Sequence, residues 1–294
     1  MEIKKIDIEN ESYPAALRDL HNPPMELFIN GEILPCDINA VAIVGTRWAT
    51  HYGLAQSERI SYELASIGIT IISGMARGID TAAHRGALKA RGRTISVLGS
   101  GHNHIYPREN KKLYEAIAKS GAVISEFPSD VPPLKPNFPR RNRLISGMSR
   151  GVLVVEAPKR SGALITANFA LEQGKEVFAV PGNINSVTSS GTNGLIKEGA
   201  KLVEGVDDIL QELVGVIDIH SAGKIPDESG PDGALLPALS GEKVIFGVLS
   251  DEPKSIDEIS RITNLPVAKI SEILIRLELK KMIKMLPGDN FVRV

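Results

Sequence analysis

Cysteine is nearly absent: Cys36 is the only one in 294 residues. A disulfide framework and a cysteine-built zinc site are thereby excluded, and a reducing compartment is expected. No apolar run approaches the roughly 20 residues needed to span a bilayer. The opening MEIKKIDIENESYP lacks the apolar core of a secretory signal. No membrane association and a cytoplasmic location follow as expectations. Neither sign of charge dominates, since 34 Lys plus Arg face 35 Asp plus Glu for a net charge of −1. That rules out a broadly basic coat but not a small cationic cleft. There is no G-x-x-x-x-G-K-[ST] loop to support ATP hydrolysis, and no G-x-S-x-G or H-E-x-x-H motif. His102-Asn103-His104 is the only dense histidine pair and has no third ligand nearby, so neither a metal nor a cofactor is expected.

What is present is a repeated alternation. Six short, β-branched runs, at 41–44, 69–72, 94–98, 122–124, 152–155 and 177–180, are separated by stretches of helical spacing such as Leu54, Ile60, Leu64 and Ile67. Runs without polar alternation read as strands buried on both faces, which means a parallel sheet. Strand–helix alternation gives an α/β fold, doubly wound and Rossmann-like, over 41–213. Residues 1–40 read as a short N-terminal extension. Residues 214–240 read as a flexible acidic linker, with five acids against Lys224 between 212 and 240. The last segment, 241–294, has a helix around Val244, Ile245 and Val248 and a capping box at Ser255–Glu258. A third helix with Ile270, Ile273, Leu274 and Leu277 on one face follows, then a hairpin around 287–290. Three helices and a hairpin make a winged helix-turn-helix domain.

In doubly wound folds, ligands bind beyond the carboxyl ends of the strands, so those ends are where function is sought. Gly45-Thr46-Arg47 follows the first run and offers a glycine, a hydroxyl and a guanidinium to a phosphate. Gly74 and Arg77 follow the second, with Asp80 as a helix-start charge. From Lys135 to Arg160 there are seven basic residues and one acid, Glu156. That run is dominated by arginine (Arg140, Arg141, Arg143) beside Phe138 and Asn142. Planar guanidinium groups suit phosphates and base faces, and Phe138 offers a stacking surface. Ser161, Gly162 and Thr166 begin the next helix with amides and hydroxyls for another anion, and Lys175 leads into the following strand. Nucleic-acid contact is the expectation these residues favour. A nucleotide-binding enzyme of Rossmann-like fold is the alternative.

The order of these motifs resembles one family. Gly45-Thr46-Arg47, Ser73-Gly74-Met75-Ala76-Arg77-Gly78-Ile79-Asp80 with Ala83-His84, Tyr106-Pro107 and Ser125-Glu126 come first. Phe138-Pro139-Arg140-Arg141-Asn142-Arg143, Val155-Glu156-Ala157, Ser161-Gly162-Ala163-Leu164-Ile165-Thr166-Ala167, Pro181-Gly182 and Gly191-Thr192-Asn193 follow. Across roughly 10–210 the chain is similar to the DNA-processing protein A (DprA/Smf) family, with Thr46 where the family usually has serine. The resemblance implies a non-enzymatic protein that binds single-stranded DNA, forms a homodimer and loads a RecA-type recombinase during natural transformation. It places Arg47, Phe138, Arg140, Arg141, Asn142, Arg143 and Lys175 along the DNA pocket, with Ser161, Gly162 and Thr166 as anion-binding groups. With aromatics at 4% of the chain, sequence preference should be weak and affinity dominated by backbone contacts. The hydrolytic alternative needs a compact P-G-G-x-G-T loop, whereas here Pro181-Gly182 and Gly191-Thr192 stand apart without paired glycines.

Overall fold

In the computed structural model of the chain, the six β-branched runs form the parallel centre of a nine-stranded sheet. The structure describes residues 3–217, 245, 249, 254–263, 266–279, 283–286 and 290–293. The chain divides into two units, Met1–Ile225 and Pro226–Val294.

In the larger unit the central strands are β3 (Ala40–Val44), β4 (Thr70–Ser73), β5 (Thr94–Val97), β6 (Ala122–Ser125), β7 (Gly151–Val154) and β8 (Glu176–Ala179), with the short β9 (Lys201–Leu202) beside β8. All pair in parallel. Successive β3 residues enter opposite cores: Ala40, Ala42 and Val44 pack on one face of the sheet, Val41 and Ile43 on the other. This is why the run shows no polar alternation. Helices α2 (His51–Ser66) and α3 (Ile79–Lys89) cover the second face, contributing Ile60, Leu64, Ile79 and Ala83. The first face is covered by α1 (Ala15–Arg18), α5 (Asn137–Gly147), α6 (Gly162–Glu172) and α7 (Ser190–Lys197), through Leu17, Leu144, Ala167 and Leu195. Two further helices, α4 (Lys111–Ser120) and α8 (Val206–Glu212), belong to the described residues of this unit.

The segment read from sequence as an N-terminal extension belongs to the sheet. β1 (Lys4–Asp7) and β2 (Glu26–Gly31) pair with each other, and β2 runs antiparallel to β6. Leu27 and Ile29 alternate into the core, and Tyr13, also buried, donates its hydroxyl to Pro24 O at 2.7 Å. His102 is likewise structural: its two ring nitrogens lie 2.7 Å from the Tyr114 hydroxyl and 2.9 Å from Phe28 O. Among the described residues no group of three metal-ligating side chains occurs. No described helix is long and apolar enough to cross a membrane.

The smaller unit contains α9 (Ile256–Thr263), α10 (Val267–Leu279) and a three-stranded sheet of β10 (Lys254–Ser255), β12 (Asn290–Arg293) and β11 (Ile283–Leu286). The capping box forms reciprocally, with Ser255 N donating to Glu258 Oε2 at 3.0 Å and Glu258 N to Ser255 Oγ at 3.3 Å. Ile259, Ile270, Ile273, Leu274, Leu277 and Phe291 share one core with Ile245 and Leu249. Most of the expected linker, most of the expected helix at 244–248 and the turn at 287–289 lie outside the described residues.

One buried group sets an acid limit on the larger unit. His84 on α3 is 0% exposed, and its Nδ1 lies 2.7 Å from Thr94 Oγ1. Thr94 spends its own proton on Ile71 O at 2.8 Å, so the histidine donates through Nδ1 and leaves Nε2 bare and unpaired. Burial, with the positive Arg141 nearby, holds its pKa down to about 3. The unfolded chain therefore takes up a proton near pH 6.5 that the folded chain refuses until about pH 3. Stability is complete above the unfolded value and falls as pH drops below it, by about 2 kcal/mol at pH 5. Urea melts at pH 7.5 and 5.0 should show this loss, and His84→Gln should lack that part of it. Equal losses in the two proteins would refute the assignment.

Candidate functional site

The order of the sheet locates the site. From β3 the chain builds outward through β4, β5 and β6, then returns to the other side of β3 with β7 and continues to β8 and β9. The carboxyl ends of β3 and β7 therefore diverge at a topological switch point, where open α/β sheets leave a crevice. A cleft of about 670 Å³ opens there. The turn after β3 supplies Gly45, Thr46, Arg47 and Trp48; the segment after β7 supplies Arg160, Ser161, Gly162 and Thr166; and the third wall carries Lys135, Phe138, Arg141 and Asn142. Four basic side chains (Arg47, Lys135, Arg141 and Arg160) face one acid, Asp80.

Local backbone bonds shape these walls. Thr46 N donates to Glu156 O at 2.7 Å, tying the β3 turn to the residue after Val155. The buried Glu156 carboxylate accepts from Thr50 N at 2.9 Å and Thr50 Oγ1 at 2.6 Å, fixing the entry to α2. Ser161 caps α6, its Oγ accepting from Ala163 N at 3.2 Å. Gly162 beside it has open space where a side chain would project. Asn142 is committed to the wall: its Nδ2 donates to Gly162 O at 3.2 Å, and its Oδ1 accepts from Arg141 Nε at 3.2 Å.

Arg141 forms the floor. It is 4% exposed, and its Nη1 donates to Gly74 O at 2.9 Å and to Val97 O. A Cβ on Gly74 would fall 2.6 Å from the guanidinium nitrogens, so glycine at 74 is what seats this arginine. Asp80, in the first turn of α3, accepts from Gly74 N at 3.2 Å and Ala76 N at 3.3 Å. Burial pushes the Asp80 carboxyl upward against the pull of Arg141. Burial also draws Arg141 down to about 10, with Asp80 opposing. Arg141 thus stays a cation at neutral pH, and among the described residues it forms no direct ion pair with a carboxylate. A buried positive charge with one side open to a cleft is a seat for an anion.

The arginine run does not act as one patch. α5 is a helix, so residues three and four apart share a face. Phe138, Arg141, Asn142 and Ile145 face the cleft. Arg140 and Arg143 point elsewhere and meet on Glu126 Oε2, Arg140 at 2.9 Å and Arg143 at 2.6 Å. Expected along the pocket, both are placed outside the cleft lining, where they neutralise a buried carboxylate, and Arg140 also lies over the Phe127 ring at 5.2 Å. Arg77 also lies outside the cleft lining, an exposed residue paired with Glu109, which raises its pKa. Lys175 departs furthest from expectation. Its Nζ donates to Ser146 O, Gly147 O and Ser149 O at 2.7, 2.5 and 2.6 Å, closing the end of α5. Burial and the neighbouring Arg150 lower its pKa to about 8, so at pH 7 it is still an ammonium.

Phe138 lines the cleft, as expected of the pocket, and its ring is already in contact with other side chains. The guanidinium carbons of Arg47 and Arg141 lie 5.2 and 5.9 Å from its ring centre, and Tyr106 packs on it at 5.7 Å. In this arrangement Phe138 organises the cations around it. Sequence reasoning did not assign Trp48 or Tyr106 to the site, and it counted Lys135 and Arg160 in the basic run without placing either in the pocket. Their adjacency to Arg47, Pro107, the α5 start and Ser161 was the available signal. Pro181-Gly182 and Gly191-Thr192 are absent from the cleft lining. Gly182 N donates to Asn193 Oδ1 at 3.2 Å and Asn193 Nδ2 to Gly182 O at 2.9 Å, which makes a structural clasp between the two turns.

Comparison with known proteins finds matches over both parts of the chain. Residues 4–214 match the family described as DNA recombination-mediator protein A, and residues 229–289 match the DprA winged helix domain. Protein Smf of Escherichia coli is 42% identical over 98% of this chain and 77% of its own length. The X-ray structure of DNA processing protein A from Streptococcus pneumoniae superposes with a TM-score of 0.68 at 41% identity, covering 72% of this chain and 74% of that one. A structure of the Helicobacter pylori protein, described for its single-stranded DNA binding mode, gives a TM-score of 0.65 at 32% identity and covers 73% of this chain and 98% of that one.

Proposed function

The chain belongs to the DNA recombination-mediator protein A family, and on that footing we propose that its switch-point cleft binds single-stranded DNA. The observation that carries this reading is the buried Arg141 at the cleft floor, ringed by Arg47, Lys135 and Arg160 at the mouth. Phosphate is the anion that suits such a set, because guanidinium groups grip its oxygens in pairs. A flexible single strand can lower a phosphate to a recessed cation, whereas a stiff duplex holds its phosphates on a convex surface. The protein then acts by holding DNA rather than by cutting it. It shields incoming strands and passes them to a RecA-type recombinase as a homodimer in the cytoplasm, the setting being natural transformation or related recombination.

The test is a titration of single-stranded and duplex DNA at two salt concentrations. If the cleft neutralises about four phosphates, log affinity falls with log salt at a slope near −3, using roughly −0.7 per phosphate for single strands. Doubling the salt then costs about eightfold in single-strand affinity. The duplex should bind more weakly at both concentrations. Salt-independent binding, or preference for duplex, would reject the proposal.

A further inference from the structure

We propose that Trp48 is a base-stacking residue, taking the face of one unpaired nucleobase at the mouth of the cleft while the neighbouring cations hold the backbone. The inference rests on the single-stranded DNA reading above and goes beyond phosphate contact to what tells an unpaired strand from a paired one. Trp48 is 80% exposed, the most open of the cleft's aromatic side chains, and it is the one tryptophan of the chain. Its backbone is not loose: Trp48 N donates to Thr46 Oγ1 at 3.2 Å, and Thr46 is itself buried and bonded to Glu156 O. The turn therefore presents the indole from a fixed base.

The other aromatic rings of the cleft are engaged. Phe138 carries the guanidinium groups of Arg47 and Arg141, and Tyr106 leans on Phe138. Among the described residues no ring or cation stacks on Trp48. A large exposed indole beside Arg47, in a cleft also lined by Lys135 and Arg160, matches an occupant that is polyanionic along one side and aromatic along the other. An unpaired polynucleotide has that chemistry. In a duplex the base faces are covered by their neighbours, so Trp48 favours unpaired strands while tolerating any base.

The intact chain provides its own probe, because its tryptophan emission comes from Trp48 alone. Oligothymidylate is titrated into the protein while emission is recorded, with the anisotropy of a labelled strand followed in parallel. Quenching should track anisotropy. Trp48→Ala should bind about tenfold more weakly, within the range of one base–aromatic stack, and Trp48→Phe should recover most of the loss. An abasic phosphodiester strand should bind the wild type and Trp48→Ala alike, without quenching. Saturated anisotropy with unchanged emission, or equal oligothymidylate affinity for Trp48→Ala and wild type, overturns the assignment of Trp48. Absence of any anisotropy change in the wild type instead overturns the single-stranded DNA reading and this inference with it.

Discussion

Arg47→Glu is expected to lower single-stranded DNA affinity by about a hundredfold, close to 3 kcal/mol. A hydrogen bond to a charged partner is worth about 1.5–3 kcal/mol, and reversing the sign at the mouth of the cleft adds repulsion to that loss. Stability should change by less than about 1 kcal/mol, because Arg47 is exposed and, among the described residues, the ring its guanidinium lies over is that of Phe138. Arg47→Ala should also flatten the salt dependence by about 0.7, one phosphate contact. Arg140→Ala is the informative contrast. It lies only two residues from Phe138 yet faces Glu126, so its affinity should stay near that of the wild type. If Arg140→Ala weakens binding as much as Arg47→Glu, the DNA runs along the other face of α5 and the cleft has been misplaced.

That contrast also shows where sequence reading succeeded and where it stopped. The six central strands were legible because burial on both faces leaves a run such as Val41-Ala42-Ile43-Val44 apolar without interruption. β1 and β2 were not, because they lie toward the sheet margin, where exposed residues such as Lys4, Lys5 and Glu26 break the apolar run. Charge density marked the Lys135–Arg160 segment correctly as a cationic region. Counting charges, however, ignores the helical period that turns Arg141 inward to the cleft floor and Arg140 and Arg143 toward Glu126. Lys175 was beyond reach for a different reason. Its partners are backbone carbonyls 26 to 29 residues earlier, and a carbonyl looks the same in every residue type.

Lys175→Met is accordingly expected to destabilise the protein by about 3 kcal/mol, roughly 1 kcal/mol for each carbonyl that loses its charged donor. Methionine keeps the apolar stem and removes only the ammonium, so lost packing contributes little. The carbonyls concerned lie at and just beyond the last turn of α5, where the helix presents its negative end and a cation is most favourable. The effect on DNA should be small. Phe138 and Arg141 are held independently, by Tyr106 and by the carbonyls of Gly74 and Val97, so the floor of the cleft does not depend on the far end of the helix. Urea unfolding should show a lower midpoint with an unchanged slope, and folded Lys175→Met should bind single-stranded DNA within about twofold of wild type, on the order of 0.4 kcal/mol. Unaltered stability together with a large loss of affinity would return Lys175 to the DNA path and show that its carbonyl contacts are incidental. The prediction separates two jobs a lysine can do: gripping a phosphate, which salt weakens, and closing a helix end, which salt leaves largely alone because the charge is partly buried.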